Sequence, residues 1–501
     1  MEIALVVPYV LVLGLLCTLG AHRAHMVYLL FRNRARLADT SNIRALGPAE
    51  LPSVTLQLPL YNEATVAARL LNAAGSIDYP RDRFEIQVLD DSTDETRTIA
   101  ASKVAELEQR GIRASYVRRP DRTGYKAGAL DYGLKTARGE LIAIFDADFV
   151  PQPDFLQKLV GHFQDPGVGM VQARWAHMNR EASFLTRIQA LMLDGHHLVE
   201  NRARFGAGLF FNFAGTGGVW RRTAIEAAGG WQHDTITEDL DLSYRAQMAG
   251  FRFIYRADVS TPAELPEEMS AFRAQQHRWA KGTVQTARKL LGRIVSARLP
   301  FAQRVEACFH MLPHFAYPLM LLLTMLLLPA LLLLPASDVR TMLLIDLPLC
   351  VGATGSLVLF YATAEYVQGR SIWSAIAKLP LLIAMGAGLA PHLTKAVFSG
   401  LTSMAGEFVR TPKRGGAAGR YRQVAQLPIA EIALALLSLA NVVASIETGH
   451  WFAAPFAALF TAGYAGVAAL VVREQLGARR ASLAPSLDET AEVATEVAGA
   501  A

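Results

Sequence analysis

The sequence predicts an α/β domain, built on a parallel and doubly wound sheet, that is inserted between membrane-spanning helices. Strand-like and helix-like segments alternate from residue 54 to residue 145, which is typical of a parallel sheet with crossover helices. Apolar segments long enough to cross a bilayer lie before and after this region. The chain of 501 residues is 52% hydrophobic and 19% charged, which fits a soluble domain combined with membrane segments.

The first apolar segment, Ile3–Leu19, is followed by a cluster of positive charges between His22 and Arg36. A cleaved secretory signal would carry its charges before the apolar core and a small-residue cleavage site after it. We therefore expect residues 1–30 to form a retained transmembrane helix with its amino end outside and its carboxyl end in the cytoplasm. The domain that follows, residues 37–266, would then be cytoplasmic.

Four strands and four helices are predicted within this domain. The strands are Val54–Leu58, Phe84–Leu89, Ser115–Val117 and Leu141–Phe145. The helices are Ala64–Ala74, Thr93–Gln109, Lys126–Lys135 and Leu240–Ala249. The first strand is predicted to stop at Pro59, because proline cannot donate to a sheet ladder.

Acidic residues follow two of these strands, as Asp90-Asp91 and as Asp146-Ala147-Asp148. An extended chain places residues i and i+2 on the same side, so both carboxylates of the second motif face the crevice where open α/β sheets bind ligands. Like charges so close require a cation, and a hard divalent ion shared with substrate phosphates fits. Considered alone, the Asp146 motif is more often a simple strand-to-turn exit.

Two further segments fit either a ligand site or an ordinary structural role. Gly206–Trp220 is rich in glycine and phenylalanine, which suits close backbone approach and stacking on a ligand, or equally a loop packed on the core. Thr237-Glu238-Asp239 opens a helix, where acids also occur as caps. Neither GxGxxG after the first strand nor GxxxxGK[ST] occurs, which argues against dinucleotide-binding and P-loop functions.

Residues 267–299 are predicted to form an interfacial amphipathic helix. Apolar residues recur at helical spacing through Glu267–Ile294 and are surrounded by Arg and Lys, which favours a helix lying on the bilayer surface. A C-terminal transmembrane region, residues 307–473, follows and completes a prediction of about five spans. Its predicted spans are Met311–Leu334, Thr341–Thr363, Leu427–Ile446 and Trp451–Val472.

Within that region, the segment 379–410 is predicted to be interfacial or re-entrant. Leu379–Leu389 is apolar but short and flanked by Pro380 and Pro391, and Leu379–Phe398 is not expected to cross the membrane. Two preceding spans return the chain to the cytoplasm near Glu365, and the basic loop Arg410–Arg422 should also be cytoplasmic. A crossing between them would place this loop on the wrong side of the membrane.

Charge and cysteine usage exclude other classes of protein. The net charge of +5, with basic residues beside apolar segments, favours positive cytoplasmic loops over nucleic-acid binding. Cys17, Cys308 and Cys350 are far apart in apolar segments, so neither a disulfide framework nor a zinc site is expected. The histidines at 196, 197, 310 and 314 lack a matching third ligand and are interpreted as packing or surface residues. Residues 481–501, rich in Ala and Glu, are predicted to be disordered.

Four motifs occur in a fixed order along the chain: Asp90-Asp91, Asp146-Ala147-Asp148, Thr237-Glu238-Asp239 and Gln275-Gln276-His277-Arg278-Trp279. With membrane spans on both sides, they resemble the D, DxD, TED, QxxRW series of processive family 2 glycosyltransferases. The stretches KAGAL, FNFAGTGGVWR and ELPEEMSAFRAQQHRW are most similar to cellulose-synthase-like mannan and glucomannan synthases. The resemblance covers roughly residues 51–291 and implies a GT-A (Rossmann-like) domain.

The resemblance implies a role for each motif residue. The expected donor-binding residues are Tyr61, Asp90, Asp91, Lys126, Gln275 and Arg278. The expected ligands of Mg²⁺ or Mn²⁺ are Asp146 and Asp148. The expected catalytic residues are Asp239, as general base, and Glu238. The expected acceptor contacts are Trp279, as a stacking platform, and Thr216.

Sugar transfer requires these residue types on chemical grounds. A sugar hydroxyl is a poor nucleophile, so a carboxylate must accept its proton. The leaving nucleoside diphosphate gains charge, which a metal ion and a guanidinium stabilise. An indole ring stacks on the apolar face of a pyranose. One base, one metal site and no second nucleophilic carboxylate imply a single displacement, so that an α-linked donor gives a β-linked product.

We therefore expect a multi-pass enzyme of the inner or plasma membrane that extends a mannan, glucomannan or glucan from GDP-mannose or UDP-glucose. Its expected partners are the nucleotide sugar, the growing glycan and the bilayer, with no nucleic acid and an export partner left open. Two alternatives remain: a transferase that adds one or two sugars to ceramide or diacylglycerol, and an inactive scaffold for glycan export. Arg410-Thr411-Pro412-Lys413 fits either a gating segment over the donor site or a simple basic loop.

Overall fold

The computed structural model describes residues 2–39, 44, 46–333, 354–406 and 427–483. The strands in these residues are β1 Val54–Leu60, β2 Phe84–Asp90, β3 Arg113–Val117, β4 Leu141–Ile144, β5 Val168–His177, β6 Gly218–Arg221 and β7 Arg252–Ala263. The helices up to residue 248 are α1 Glu2–Arg32, α2 Arg34–Asp39, α3 Ala67–Ala74, α4 Thr96–Gln109, α5 Tyr125–Leu134, α6 Phe155–Val160, α7 Phe184–Asp194, α8 Asn201–Ala207, α9 Arg222–Ala227 and α10 Glu238–Met248. The later helices are α11 Met269–Ser296, α12 Phe301–Met311, α13 Ala316–Leu333, α14 Ser356–Tyr366, α15 Ile372–Thr402, α16 Ile429–Glu447 and α17 Ala453–Leu483.

The strands form one mixed sheet in the order β3-β2-β1-β4-β6-β5-β7. Parallel pairing joins β1 to β2 and β4, β2 to β3, and β5 to β7. The short strand β6 runs antiparallel to both of its neighbours, β4 and β5. The predicted α/β fold is confirmed, but the sheet is mixed rather than wholly parallel. The prediction missed the antiparallel strand because β6 has only four residues and lies at the end of the segment that was interpreted as a glycine-rich loop.

The observed strands also differ from the predicted ones in extent and number. β1 continues through Pro59, which is tolerated there because β1 pairs with β4 only as far as Gln57. The strands β5, β6 and β7 were not predicted. Arg174, Arg252 and Arg256 interrupt the apolar pattern of β5 and β7, so their sequences lack the alternation from which a strand is recognised.

The sheet is buried on both faces, and β4 lies at its centre. Leu141 and Ala143 of β4 contribute to the core on the side of α3, α4 and α6. Ile142 and Ile144 contribute to the core on the side of α5, α9 and α10. All four side chains are fully buried, which explains why the strand is a continuous apolar run rather than an alternating one.

Five helices in the described part of the chain are long and apolar enough to cross a membrane. They are Val6–Arg32, Pro313–Leu333, Ile372–Thr402, Ile429–Glu447 and Ala453–Gly477. The chain is therefore a multi-pass membrane protein, and the predicted number of spans agrees. The set differs from the predicted one in two ways. It includes Ile372–Thr402, and residues 341–353 of the predicted span Thr341–Thr363 lie outside the described part of the chain.

Helix α15, predicted as an interfacial segment, is one continuous helix of 31 residues. Near its start, Leu379 packs in the same apolar cluster as Leu191 of α7 in the α/β domain. Near its end, Gly400 lies against the backbone of Lys281 in α11. The helix therefore contacts α7 of the domain near its start and α11 near its end, and its interfacial placement stays a prediction.

Three predictions concern residues outside the described part of the chain. They are the cytoplasmic loop Arg410–Arg422, the gating segment within it, and the tail at residues 481–501, of which only the helical residues up to Leu483 are described.

A close contact between α15 and α17 provides a test of how the C-terminal membrane helices pack together. A Cβ atom added at Gly388 would lie 2.3 Å from the carbonyl oxygen of Gly463, whereas one added at Gly386 would meet nothing within 4 Å. We expect Gly388→Ala to destabilise the protein by about 1–3 kcal/mol through overpacking. Gly386→Ala is the matched control, and thermal unfolding in detergent measures both. Equal unfolding temperatures for the two variants would contradict this packing.

Candidate active site

A solvent-open cleft with a cavity volume of about 200 Å³ lies at the carboxyl ends of β1 and β4, beneath α11. Loops after β1, β2 and β4, the start of α10 and one face of α11 form its walls. Ten of the twelve predicted site residues line this single cleft. They are Tyr61, Asp91, Lys126, Asp146, Asp148, Glu238, Asp239, Gln275, Arg278 and Trp279.

The other two predicted site residues, Asp90 and Thr216, lie beneath the cleft. The Asp90 carboxylate is buried and accepts hydrogen bonds from the Ser92 N–H at 2.9 Å and the Tyr116 hydroxyl at 2.6 Å. The Thr216 hydroxyl is fully buried and accepts the N–H of Asp146 at 2.9 Å. Thr216 therefore supports the backbone at Asp146 from below the cleft lining, and its predicted contact with the acceptor stays a prediction.

The cleft carries an excess of negative charge. Three cationic side chains line it, those of Arg122, Lys126 and Arg278. Seven carboxylates line it, those of Glu63, Asp91, Asp146, Asp148, Glu238, Asp239 and Glu264. Such a site is stable only when cations or hydrogen-bond donors offset the repulsion among its acids.

Lys126, at the start of α5, lies at the centre of this charge distribution. Its ammonium group is 2.5 Å from Oδ1 of Asp146 and donates to the Gly215 carbonyl oxygen at 2.8 Å. The nearest oxygen of Glu238 is 4.0 Å away. The carboxylates of Asp146 and Glu238 raise the pKa of Lys126 against the lowering effect of its burial, so this residue remains charged.

Glu238 and Asp239 open α10 on the side of the cleft facing Lys126. Burial raises the pKa of both carboxyl groups, and the Lys126 ammonium lowers it in part. The Asp239 carboxylate also accepts the Leu240 N–H at 2.8 Å. Gly215 has φ +79° and lies so close that a Cβ atom there would be 3.1 Å from Oδ2 of Asp239. The glycine thus lets the loop before β6 pass directly behind this carboxylate.

The residues present fit a divalent cation that is held jointly with a diphosphate. Asp146 and Asp148 supply two hard oxygen donors, and the Lys126 ammonium occupies the position of a cation beside Asp146. Among the residues that the structure describes, no group of three or more His, Cys, Asp or Glu side chains could enclose a metal. Mg²⁺ commonly takes only one or two carboxylates and completes its shell with phosphates and water.

At one end of the cleft, the Tyr61 ring lies beside Arg122, and hydrogen bonds hold the neighbouring loops together. The Arg122 guanidinium lies 3.3 Å from the centre of the Tyr61 ring. Asn62 has a left-handed φ of 54°, and its side-chain oxygen accepts the Thr93 N–H at 2.8 Å. This contact fastens the loop after β1 to the loop after β2. Asp91, on the latter loop, pairs with both Nε and Nη2 of Arg119 at 2.8 and 2.6 Å.

Helix α11 supplies the opposite wall through Gln275, Arg278 and Trp279. Burial lowers the pKa of Arg278 to about 10, and the surrounding carboxylates oppose this effect, so the guanidinium stays charged at neutral pH. The Trp279 ring lies 6.4 Å from that of Trp175, at an interplanar angle of 53°. The two indoles form an aromatic corner at this end of the cleft.

Several lining residues were missed by the sequence analysis. They are Glu63, Arg122, Trp175, His177 and Glu264. Arg122 lies in the polar loop between β3 and α5, to which no role was assigned from the sequence, and Trp175 and His177 lie on the unpredicted strand β5. Their positions depend on strand pairing, which no short motif encodes.

Two of the four histidines that were interpreted as packing or surface residues, His197 and His310, are buried and hydrogen-bonded in the structure. His197 is buried against Trp175, with ring centres 5.1 Å apart, and its Nδ1 lies 3.2 Å from the Tyr255 hydroxyl. His310 hydrogen-bonds the Tyr244 hydroxyl at 2.8 Å.

Cys17 and Cys308 carry free thiols.

Comparison with known proteins gives consistent matches. The family model "Glycosyltransferase like family 2" matches residues 52–282. Glucomannan 4-beta-mannosyltransferase 1 of Cyamopsis tetragonoloba is 33% identical over 447 residues, 84% of this chain and 82% of that protein. Glucomannan 4-beta-mannosyltransferase 2 of Arabidopsis thaliana is 42% identical over 255 residues, 50% of this chain and 48% of that protein. The chain thus spans about half the length of the Arabidopsis relative.

One solved structure has a similar fold over most of its length. It is a mannosyltransferase from Pyrobaculum calidifontis in complex with GDP-Man and Mn²⁺, 25% identical to this chain, with a TM-score of 0.54. The match covers 78% of this chain and 99% of that chain.

The bond between Thr216 and Asp146 can be tested directly. Thr216→Val keeps the shape of the side chain but leaves the buried N–H of Asp146 without an acceptor, which should destabilise the protein by about 1–3 kcal/mol. Thr216→Ser keeps the hydroxyl and should unfold near the wild-type temperature. Thermal unfolding followed by circular dichroism measures the difference. If serine and valine are equally destabilising, the hydroxyl is not the support for Asp146.

Proposed function

The chain belongs to glycosyltransferase family 2, and we propose that it is a membrane-embedded processive enzyme that polymerises a β-linked mannan or glucomannan. The Cyamopsis relative, aligned over 82% of its length, establishes the family and confirms the resemblance predicted from the four motifs. The protein is accordingly a glycosyltransferase, and its donor, linkage and product are the subject of the proposal.

The observation that carries the proposal is the convergence of distant motifs on one cleft. Asp146, Asp239, Arg278 and Trp279 come from the end of β4, the start of α10 and the middle of α11, yet all line the same space. They provide a metal ligand, a base, an anion contact and an aromatic platform. These are the four functions that transfer from a nucleoside diphosphate sugar requires.

We propose that the donor lies along the cleft, from the end at Tyr61 towards α11. The nucleoside would lie beside Tyr61, Arg122 and Asp91, where a ring face and a carboxylate are available. The diphosphate would lie between Lys126 and Arg278, two of the three cationic side chains that line the cleft. The terminal sugar would then be directed towards Asp239 and the aromatic corner of Trp279.

In the proposed reaction, Asp239 accepts the proton of the acceptor hydroxyl as its oxygen bonds to the anomeric carbon. The bond from that carbon to the diphosphate oxygen breaks in the same displacement, so the anomeric configuration inverts. Burial raises the pKa of Asp239 and strengthens it as a base. Mg²⁺ or Mn²⁺ held by Asp146 and Asp148 would neutralise charge on the diphosphate. Lys126 and Arg278 stabilise the same charge from opposite sides.

GDP-mannose is the proposed donor, with UDP-glucose as the second candidate. The named relatives are glucomannan 4-beta-mannosyltransferases, and the Pyrobaculum enzyme was solved with GDP-Man and Mn²⁺. We extend the proposal to a β-1,4 linkage on the basis of those names. The catalytic domain is placed on the cytoplasmic side, because positive residues follow the first apolar helix.

A panel of nucleotide sugars tests the proposal. Membranes that contain the protein are supplied with each donor, together with Mg²⁺, Mn²⁺ or a chelator, and the product is analysed for size and linkage. We expect a β-1,4-linked polymer from GDP-mannose that requires the divalent ion. A single glycolipid product would indicate a lipid glycosyltransferase. Nucleotide release or binding without transfer from any donor would indicate an inactive scaffold.

Replacing the proposed base gives the first prediction on activity. Asp239→Asn keeps the shape of the side chain but cannot accept the proton, so transfer should fall by about 100-fold or more. Nucleotide binding, which depends on other residues, should change little. Asp154→Asn, at an exposed carboxylate on the surface, is the control. Normal polymer extension by Asp239→Asn would exclude Asp239 as the base.

Replacing the acceptor platform should separate two activities. Trp279→Ala removes the stacking surface, so elongation should decrease more than hydrolysis of the donor by water. Trp279→Phe keeps an aromatic face and should retain most elongation. Both rates are measured from the same nucleotide sugar, as polymer formed and nucleotide released. Equal losses of elongation and hydrolysis in Trp279→Ala would argue against a platform.

A further inference from the structure

Helix α11 is anchored at two places, and its catalytic residues lie between them. The second half of the helix is fastened to the α/β domain next to the start of α10. The Gln285 side chain accepts the Ile236 N–H at 3.0 Å, and the hydroxyls of Thr286 and Thr237 are 3.1 Å apart. Lys289 completes this anchor with ion pairs to two acids of the domain, at 2.6 and 2.9 Å.

The first turn of α11 is fastened to the membrane bundle instead. Glu474 of α17 accepts the N–H groups of Met269 at 2.5 Å and of Ser270 at 2.9 Å. The residue preceding the helix, Glu268, makes no side-chain cap, and no acidic residue occupies the first turn. A carboxylate more than 200 positions away in sequence therefore satisfies donors that a local cap would normally satisfy.

A second contact with the bundle lies one turn further along α11. Arg273 donates to Glu431 of α16 at 2.7 Å, and the side chains of both residues are largely buried. The carboxylate of Glu474 is favourable at the N-terminus of α11 because of the helix dipole. The bonds of Glu474 and the bond between Arg273 and Glu431 all involve an ionised group. The two membrane helices thus hold the first half of α11 through charge-assisted bonds.

These anchors bear directly on the geometry of the cleft. Arg278 and Trp279 lie about 14 Å from the first turn along the helix axis. Their distance from Asp239 is determined jointly by the domain anchor and the bundle anchor, since the helix between them is continuous. Displacement of about 1 Å in a reacting group can reduce a rate by about 100-fold.

We propose that Glu474 and Glu431 are positioning residues for sugar transfer, through which the C-terminal membrane helices hold Arg278 and Trp279 in register with Asp239. This inference rests on the proposed function of the cleft. The two glutamates touch neither donor nor acceptor and act only through α11. They are required for elongation because the acceptor platform depends on the bundle anchor.

The experiment compares Glu474→Ala, Glu474→Gln and Glu431→Gln in the full-length protein in membranes. Glu447→Gln, an exposed acid at the far end of α16, is the matched control. Polymer elongation and donor hydrolysis are measured together as functions of donor concentration. Hydrogen exchange at the backbone amides of Met269 and Ser270 reports the cap itself, independently of activity.

We expect Glu474→Ala to expose both amides to exchange and to lower the kcat for elongation by about tenfold, as a small misalignment would. Hydrolysis of the donor depends on Arg278 but not on the acceptor platform at Trp279, so it should fall less than elongation, and the ratio of elongation to hydrolysis falls. Glu474→Gln keeps an oxygen acceptor and should show a smaller loss, as should Glu431→Gln. Glu447→Gln should match the wild type.

Faster amide exchange with an unchanged ratio of elongation to hydrolysis would overturn the proposal. A parallel loss of elongation, hydrolysis and nucleotide binding would also overturn the proposal, because it indicates general unfolding. If Glu474→Ala does not fold, Glu474→Gln and Glu431→Gln provide the same comparison. A wild-type protein that makes no polymer from any donor would instead refute the proposed function, and the exchange measurement would still test the cap.

Discussion

The concentration of carboxylates in one cleft is the constraint on which the rest of the structure depends. Among the described residues, seven acids and three cationic side chains line this space. Two of the acids are paired by arginines outside the lining, Asp91 by Arg119 and Glu264 by Arg69. Lys126 balances part of this charge through its contact with Asp146, and Arg278 contributes from α11 despite its burial. In the proposed function, the remaining negative charge is balanced by a divalent cation that is shared with the diphosphate of the donor. The same repulsion, together with burial, raises the pKa of Asp239 and suits it to accept a proton.

Helix α11 connects this electrostatic site to the membrane. Its middle carries the residues that contact the donor and acceptor in the proposed function. Its second half packs against the domain so closely that a Cβ atom at Gly282 would lie 3.0 Å from the backbone nitrogen of Thr237. Its first turn is capped by Glu474 of a membrane helix. The bundle is therefore more than an anchor in the bilayer, because it contributes to the position of one wall of the cleft.

The cleft was predicted well where its residues belong to short motifs and less well elsewhere. Asp146, Asp148, Asp239, Arg278 and Trp279 were identified from the sequence and converge in the structure. Two predicted residues lie beneath the cleft, since neither the depth of Asp90 nor that of Thr216 is visible in a linear motif. Arg122 and Trp175 were missed because a polar loop and an irregular strand give no periodic pattern.

Local residue patterns were sufficient for the strands β1 to β4, the helices α3, α4, α5, α10 and α11, the membrane segments at α1, α13, α16 and α17, and the order of the four motifs. Alternation, apolar length and residue type are properties of neighbours in sequence. The antiparallel course of β6, the placement of Thr216 behind Asp146, and the capping of α11 by Glu474 were decided only by the tertiary structure. Each of them joins residues far apart in the chain. Such contacts depend on how the sheet and the bundle pack together, and no local pattern records them.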